Sequence, residues 1–137
     1  MHLTRRQFIA ASTASLATAT LAADELGAIT SPVGSSSVIH TVYFWLKRPN
    51  SEVDRNALIA GLKTLKQVPM VKSLHVGVPA NTEKRDVVDN SFDVFELMFF
   101  DNLAGQSRYQ QHPVHLAFVQ NCAHLWDKVV VHDSLTV

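Results

Sequence analysis

Tyr109, His112 and His115 stand three residues apart in the stretch Tyr109-Gln-Gln-His-Pro-Val-His115. An imidazole titrates near neutral pH and can take or give a proton. A phenol can donate a hydrogen bond to an oxyanion as it forms. Together these groups suit proton abstraction next to a carbonyl, with His115 as base and Tyr109 as donor. The three are not equivalent. Pro113 sits where a new helix would start, because proline is favoured in a first turn. The stretch therefore reads as helix, break, helix. His112 lies at the break, where its ring can cap backbone groups that the break orphans. The interruption also weakens any argument for a metal pair at this spacing. His115 falls in the first turn of the following helix, whose positive end favours neutral imidazole, the form a base requires. The bland accounts are a buried His115 bonded to backbone carbonyls and a Tyr109 that fills a gap between helix and sheet.

A fourth candidate comes from the first apolar segment. Val38 to Lys47, VIHTVYFWLK, is rich in β-branched and aromatic residues and reads as a strand. Its alternating sets are Val38, His40, Val42, Phe44, Leu46 and Ile39, Thr41, Tyr43, Trp45. An imidazole among valines and a phenylalanine needs a polar partner. If its face lines a cavity, His40 and His115 converge there. His40 and His112 are the ligand-binding candidates, beside Tyr109 and His115 as the catalytic pair. His75, His124 and His132 have no neighbours in sequence that suggest a site. Glu96 shares a strand face with Phe92 and Met98, where a salt bridge is the expected account. Cys122 reads as core.

The remaining elements must position these side chains. Ser51 with Asp54 resembles a capping box. A helix is expected from there to about Gln67, with Val53, Ala57, Leu58, Leu62 and Leu65 as its apolar stripe, ended by Pro69. Met70 to Val78 reads as a second strand, and Pro79 to Asn90 as a loop. Ser91 to Phe100, SFDVFELMFF, is a third strand and the most apolar segment. Asn102 to Gln111 reads as a short helix. The helix from Pro113 carries Leu116, Phe118, Val119, Cys122, Ala123 and Trp126 at helical spacing. The last strand runs from Asp127 or Lys128 to Val137.

The order β-α-β-β-α-β predicts an α+β, ferredoxin-like fold: a four-stranded antiparallel sheet with helices on one face. Both faces of the first and third strands are largely apolar, yet the helices cover one face only. A second copy packing sheet against sheet would cover the other, so a homodimer enclosing a cavity is expected.

Composition narrows the function classes. The 137 residues suit one domain, with 47% hydrophobic and 18% charged residues and no net charge. No basic stripe suggests nucleic acid as a partner. The single cysteine excludes an intramolecular disulfide. No phosphate-cradling glycine loop, G-x-S-x-G, H-E-x-x-H or C-x-x-C is found. No cofactor and no metal are therefore expected. Residues 1–23 read as a twin-arginine signal, with Thr4-Arg5-Arg6-Gln7-Phe8-Ile9 ahead of a weakly apolar stretch and small residues around Ala17, Ala19, Ala22 and Ala23. The apolar run is too short to span a bilayer. Cleavage near Ala23 would remove two of the twelve basic residues and none of the twelve acidic ones. A signal of this type implies export of a folded chain to the periplasm. Residues 24–37 read as a linker, and 38–137 as the folded domain.

The pattern as a whole resembles the stress-responsive A/B barrel, or Dabb, family. The resemblance rests on Ile39-His40-x-Val42 in the first strand and Val68-Pro69 ahead of a strand with Gly77. It rests also on Phe92-Asp-Val-Phe-Glu-Leu-Met-Phe-Phe100, on Tyr109-x-x-His112-Pro113-x-His115, and on Asp133 near the end. It implies a dimeric α+β barrel. A plant branch of the family contains polyketide cyclases, in which a Tyr and a His close a ring by an aldol step without a metal. Those roles would fall on Tyr109 and His115, and the first-strand pocket His on His40. The plant enzymes carry a further His on the third strand, where this chain has Val94. Three function classes follow. One is a homodimeric barrel that binds a small, partly apolar molecule, with cyclase- or lyase-like acid–base chemistry. Another is a non-catalytic, stress-related oligomer module. The third is a haem- or metal-binding member of the dimeric α+β barrels.

Overall fold

The computed structural model describes residues 36–137. The signal expected at 1–23 and nearly all of the linker expected at 24–37 lie outside these residues. The elements are β1 (Val38–Leu46), α1 (Glu52–Thr64), β2 (Ser73–Gly77), β3 (Val94–Phe100), α2 (Leu103–Gln110), α3 (Pro113–Cys122) and β4 (Trp126–Leu135). One-turn 3₁₀ segments extend α1 over Leu65–Gln67 and α3 over Ala123–Leu125. The sheet order is β2-β3-β1-β4, and every pairing is antiparallel. This is the α+β, ferredoxin-like arrangement expected from the order of elements.

Alternation decides which side chains meet the helices. In β1 every second residue is buried, from Val38 through His40, Val42 and Phe44 to Leu46. In β3 the buried set is Val94, Glu96, Met98 and Phe100. Residues opposite each other in an antiparallel pair share a face. Val42 pairs with Glu96, and His40 with Met98, so both sets point under the helices. Leu58, Leu62 and Leu65 cover them from α1 and its extension, each fully buried. Each such burial is worth about 1.5–3 kcal/mol.

Local chemistry fixes the helix starts. The Ser51 hydroxyl accepts from the Asp54 N–H at 3.2 Å and caps α1. Arg48 donates to Asp54 through Nε at 2.7 Å, closing the turn between β1 and α1. Asn50 takes the left-handed conformation there, with φ of 65°, as asparagine tolerates better than most side chains. Asn102 caps α2 by accepting from the Gly105 N–H at 2.8 Å.

Three strand starts differ from the sequence reading. β2 begins at Ser73 rather than Met70, because the Val71 N–H turns back to the Val68 carbonyl at 3.0 Å. β3 begins at Val94 rather than Ser91, because Asp93 ties the end of β1: its carboxylate accepts from the Leu46 N–H at 2.7 Å. Trp126 opens β4 rather than closing the last helix, since the chain tightens into a 3₁₀ turn before it.

The far face of the sheet carries Ile39, Thr41, Tyr43 and Trp45 of β1 with Phe95, Leu97 and Phe99 of β3, all half-buried in the single chain. On β4 the helix-side residues Val129 and Val131 are 43% and 48% exposed. The helices therefore stop short of the β4 edge, and this leaves an opening between β4 and α3.

Candidate functional site

That opening leads into a cavity of about 250 Å³, lined among others by His40, Val42, Glu96, Tyr109, His115 and Val131. Three of the four candidate residues meet here. His40 comes from β1, Tyr109 from the last turn of α2, and His115 from the first turn of α3. The Tyr109 ring centroid lies 4.5 Å from that of His115 and 6.0 Å from that of His40. Phe100 packs beneath, 5.1 Å from Tyr109.

The site lies between the sheet and the helices of one chain. A concavity of about 710 Å³ on the opposite sheet face, lined by Tyr43, Trp45, Phe95, Lys128 and His132, contains none of the four. His40 and His115 do converge on a cavity, but it is not one that two packed sheets would enclose. The two-residue period of β1 places His40 with Val38 and Val42, beneath α1 and α3, and so away from the face a second copy would cover.

His112 stands apart. It caps α3, its Nδ1 accepting from the Val114 N–H at 3.2 Å. It is not among the residues that line the cavity.

Backbone and side-chain partners set the tautomers of the two cavity histidines. His115 Nδ1 lies 3.0 Å from the Gln110 carbonyl oxygen, which can only accept. Nδ1 therefore carries the proton, and in the neutral ring Nε2 holds the free lone pair. The break between α2 and α3 makes this bond available, because it turns the Gln110 carbonyl toward the next helix. Burial lowers the pKa of His115, the bond to Gln110 opposes that shift, and nearby His40 adds to it. Desolvation is thus the leading cause of a neutral ring. His40 Nδ1 lies 2.6 Å from Asp133 Oδ1, across the β1–β4 pair. A carboxylate accepts, so Nδ1 again donates and Nε2 is the nitrogen left for a ligand. Burial pushes the Tyr109 phenol well above its ordinary pKa, with Glu96 contributing, so Tyr109 remains a donor.

Two further residues shape the site, and the structure alone shows their partners. Asp133 orients His40, but only the β1–β4 register reveals that they meet. Glu96 is 2% exposed, and its Oε1 has no hydrogen-bond partner. Among the described residues the salt bridge expected for it is absent, because neither Lys nor Arg lines the cavity. The alternation of β3 puts this carboxyl on the face of Met98, as the sequence indicates, and there it is buried with Val94 and Phe100. Among the described residues, no group of three or more His, Cys, Asp or Glu side chains is arranged to hold a metal ion.

Comparison with known proteins places this architecture. The structure resembles a Dabb-family protein with a ferredoxin-like fold from Mesorhizobium loti, with a TM-score of 0.61 at 23% identity, over 74% of this chain and 98% of that one. It also resembles a hydroxynitrile lyase from Passiflora edulis, with a TM-score of 0.64 at 21% identity, over 75% and 95% of the two chains. A dimeric ferredoxin-like protein of unknown function from Thermobifida fusca gives 0.60 at 18% identity, over 74% and 92%. No curated protein matches the sequence significantly. The model of the stress-responsive A/B barrel domain matches residues 38–135, from the first residue of β1 to the last of β4. With the strand order, the single covered sheet face and that match in agreement, the chain belongs to the stress-responsive A/B barrel (Dabb) family.

Proposed function

We propose that the protein binds a small, partly apolar molecule in the cavity between sheet and helices, and acts on it by acid–base chemistry of the cyclase or lyase type. The convergence of His40, Tyr109 and His115 on one apolar cavity carries this reading. His115 Nε2 takes a proton from carbon next to a carbonyl. The C–H electron pair becomes the C=C bond of an enolate, the C=O π pair moves to the oxygen, and the Tyr109 hydroxyl donates to the oxyanion that results. The proton on His115 then returns to the product; with a cyanohydrin the same Nε2 takes the hydroxyl proton, the carbonyl forms as the C–CN bond breaks, and the proton leaves with the cyanide. Val42, Phe118, Val129 and Val131 keep the site poor in water, which strengthens each of these interactions. The hydroxynitrile lyase among the structural neighbours supports the choice of reaction class.

The test is turnover by the pure protein, assayed with poly-β-keto substrates and with aromatic cyanohydrins. Turnover that His115→Ala and Tyr109→Phe both abolish is the expected result. No turnover, or turnover that neither substitution changes, would overturn the catalytic reading in favour of a non-catalytic oligomer module.

The same reading includes a homodimer. Tyr43 anchors an aromatic patch on the uncovered sheet face, 4.9 Å from Phe92 and 6.2 Å from Phe95. Lys128 lies 4.2 Å over the Trp45 ring. A second copy covers this face, in keeping with the dimeric neighbours. Sedimentation should give twice the chain mass for the wild type and the chain mass for Tyr43→Glu. A monomeric wild type sinks this part. Export to the periplasm through the twin-arginine stretch completes the reading. Fractionation of cells that express the Arg5→Lys, Arg6→Lys variant should find it retained in the cytoplasm. A variant exported like the wild type would exclude this route.

A further inference from the structure

The acid–base step makes no use of the most deeply buried acid in the cavity. Glu96 projects from the middle of β3, paired with Val42 of β1 and Val76 of β2. Its neighbours on the same face, Val94 and Met98, are fully buried. Its Oε1 has no hydrogen-bond partner although it is shut off from solvent. Proteins rarely leave such an atom unsatisfied, since a buried polar group without a partner costs about 1–3 kcal/mol. We propose that Glu96 is the ligand-reading group of the cavity: its carboxylic acid donates a hydrogen bond to the carbonyl oxygen of a small neutral ketone or aldehyde, whose apolar body lies against Val129 and Val131. This rests on the reading of the cavity as a ligand site, and it adds the class of ligand.

The surroundings select that class. Tyr109 of α2, His115 of α3 and His40 of β1 face the cavity with Glu96, and Asp133 of β4, outside the cavity lining, bonds to His40 Nδ1. Among the described residues no lysine or arginine lines the cavity, so a ligand carboxylate would meet no permanent cation there. An ionised Glu96 would itself lie unpaired, and desolvation raises its pKa to about 8. The neutral acid offers one O–H donor. The free Nε2 of His115 supplies an acceptor. A carbonyl oxygen needs a donor and no charge, and it finds two donors here, Glu96 and Tyr109. The cavity volume of about 250 Å³ fits one ring with a short substituent. A cationic amine is the rival occupant. It would ionise Glu96 and bury an ion pair at high desolvation cost in an apolar pocket.

Infrared difference spectroscopy and calorimetry on the full chain at pH 6 test this, with acetophenone, benzoate and benzylamine as probes. The wild type should show a carboxylic-acid C=O band that Glu96→Gln lacks. Acetophenone should shift that band, and its own carbonyl band should move to lower frequency. Its affinity should fall about tenfold in Glu96→Leu, the loss of one good hydrogen bond, and hold within about threefold in Glu96→Gln, whose amide still donates. Benzoate should bind more weakly than acetophenone. Equal Tm for the two variants, or a higher one for Glu96→Leu, excludes unfolding as the cause. The proposal is overturned by a missing acid band in the wild type, by an acid band that acetophenone leaves unmoved, or by equal acetophenone affinity in Glu96→Leu. Benzylamine binding tighter than acetophenone, with loss of the acid band, also overturns it. A ketone hydrogen-bonded to Glu96 without turnover would sink the acid–base reading and leave this one standing.

Discussion

His40 and Asp133 face each other across β1 and β4, with Nδ1 and Oδ1 2.6 Å apart. The imidazole is buried, while the Asp133 side chain is 49% exposed. The carboxylate thus reaches in from the sheet edge to hold one nitrogen and leave the other for the cavity. The arrangement fixes ring orientation and tautomer together, as a carboxylate does for a histidine in many active sites.

Asp133→Asn tests that role. An amide can donate or accept, so the single tautomer of His40 should give way to a mixture. Nitrogen-15 NMR of the ring reads this directly. Ligand affinity or turnover should fall about tenfold, roughly 1.4 kcal/mol, since the half-exposed carboxylate is partly screened. A tautomer unchanged in the variant would show that the cavity alone orients His40.

His115 predicts a dependence of stability on pH. Its folded pKa lies below the ordinary value of 6.5, chiefly through burial. As pH falls through 6.5, the unfolded chain takes up the proton first, so the folded state loses stability until the folded ring titrates as well. Urea midpoints of the wild type should therefore fall with pH below 6.5 relative to His115→Gln. The acidic limb of any kcat/KM profile should lie below 6.5 for the same reason. A difference between the two proteins that stays flat from pH 7 to pH 5 would contradict the burial argument.

Glu96 predicts the opposite slope. Its carboxyl titrates near 4.5 in the unfolded chain and at about 8 in the folded one. Below 4.5 both states hold the proton, and its contribution is complete. As pH rises from there to 8 the unfolded chain releases the proton and the folded chain keeps it, so stability is lost. Glu96→Gln should gain on the wild type steadily over that interval and level off above it. Thermal melts at pH 5, 6.5 and 8 measure the difference. A gap that does not widen with pH would mean that Glu96 is ionised in the fold.

The contrast between these residues shows what a sequence reveals. The alternation of β1 and β3 and the Pro113 break are local patterns, so the elements and their order were readable from residue types. Tyr109 and His115 stood out because a helix break concentrates polar rings in few residues. The assignment of His40 to the helix side was not readable, because both faces of β1 are apolar and alternation alone does not say which one the helices choose. Asp133 is 93 residues from His40, and only the strand register makes them neighbours. Glu96 was visible as a polar residue in an apolar strand, but its lack of a cation partner is a property of the packed cavity.

Packing of α1 on α3 supplies the last test. A Cβ placed on Gly61 would lie 2.5 Å from Cys122 Sγ and 3.3 Å from the Phe118 ring. The absence of a side chain there lets the two helices approach, and α3 carries His115 on its first turn. Gly61→Ala gains helix propensity, worth about 1 kcal/mol, but it must push α3 outward or force Cys122 from its rotamer. Overpacking of this kind costs about 1–3 kcal/mol, so a net loss is expected in urea unfolding. Cys122→Ala alone leaves a small cavity and also destabilises. The double variant exchanges the sulfur for the new methyl group. It should therefore be more stable than the sum of the single changes implies, by about 1 kcal/mol or more, as contacting residues allow. Strict additivity would mean that α3 shifts freely on α1, and His115 would then lack the fixed backing that its bond to Gln110 requires.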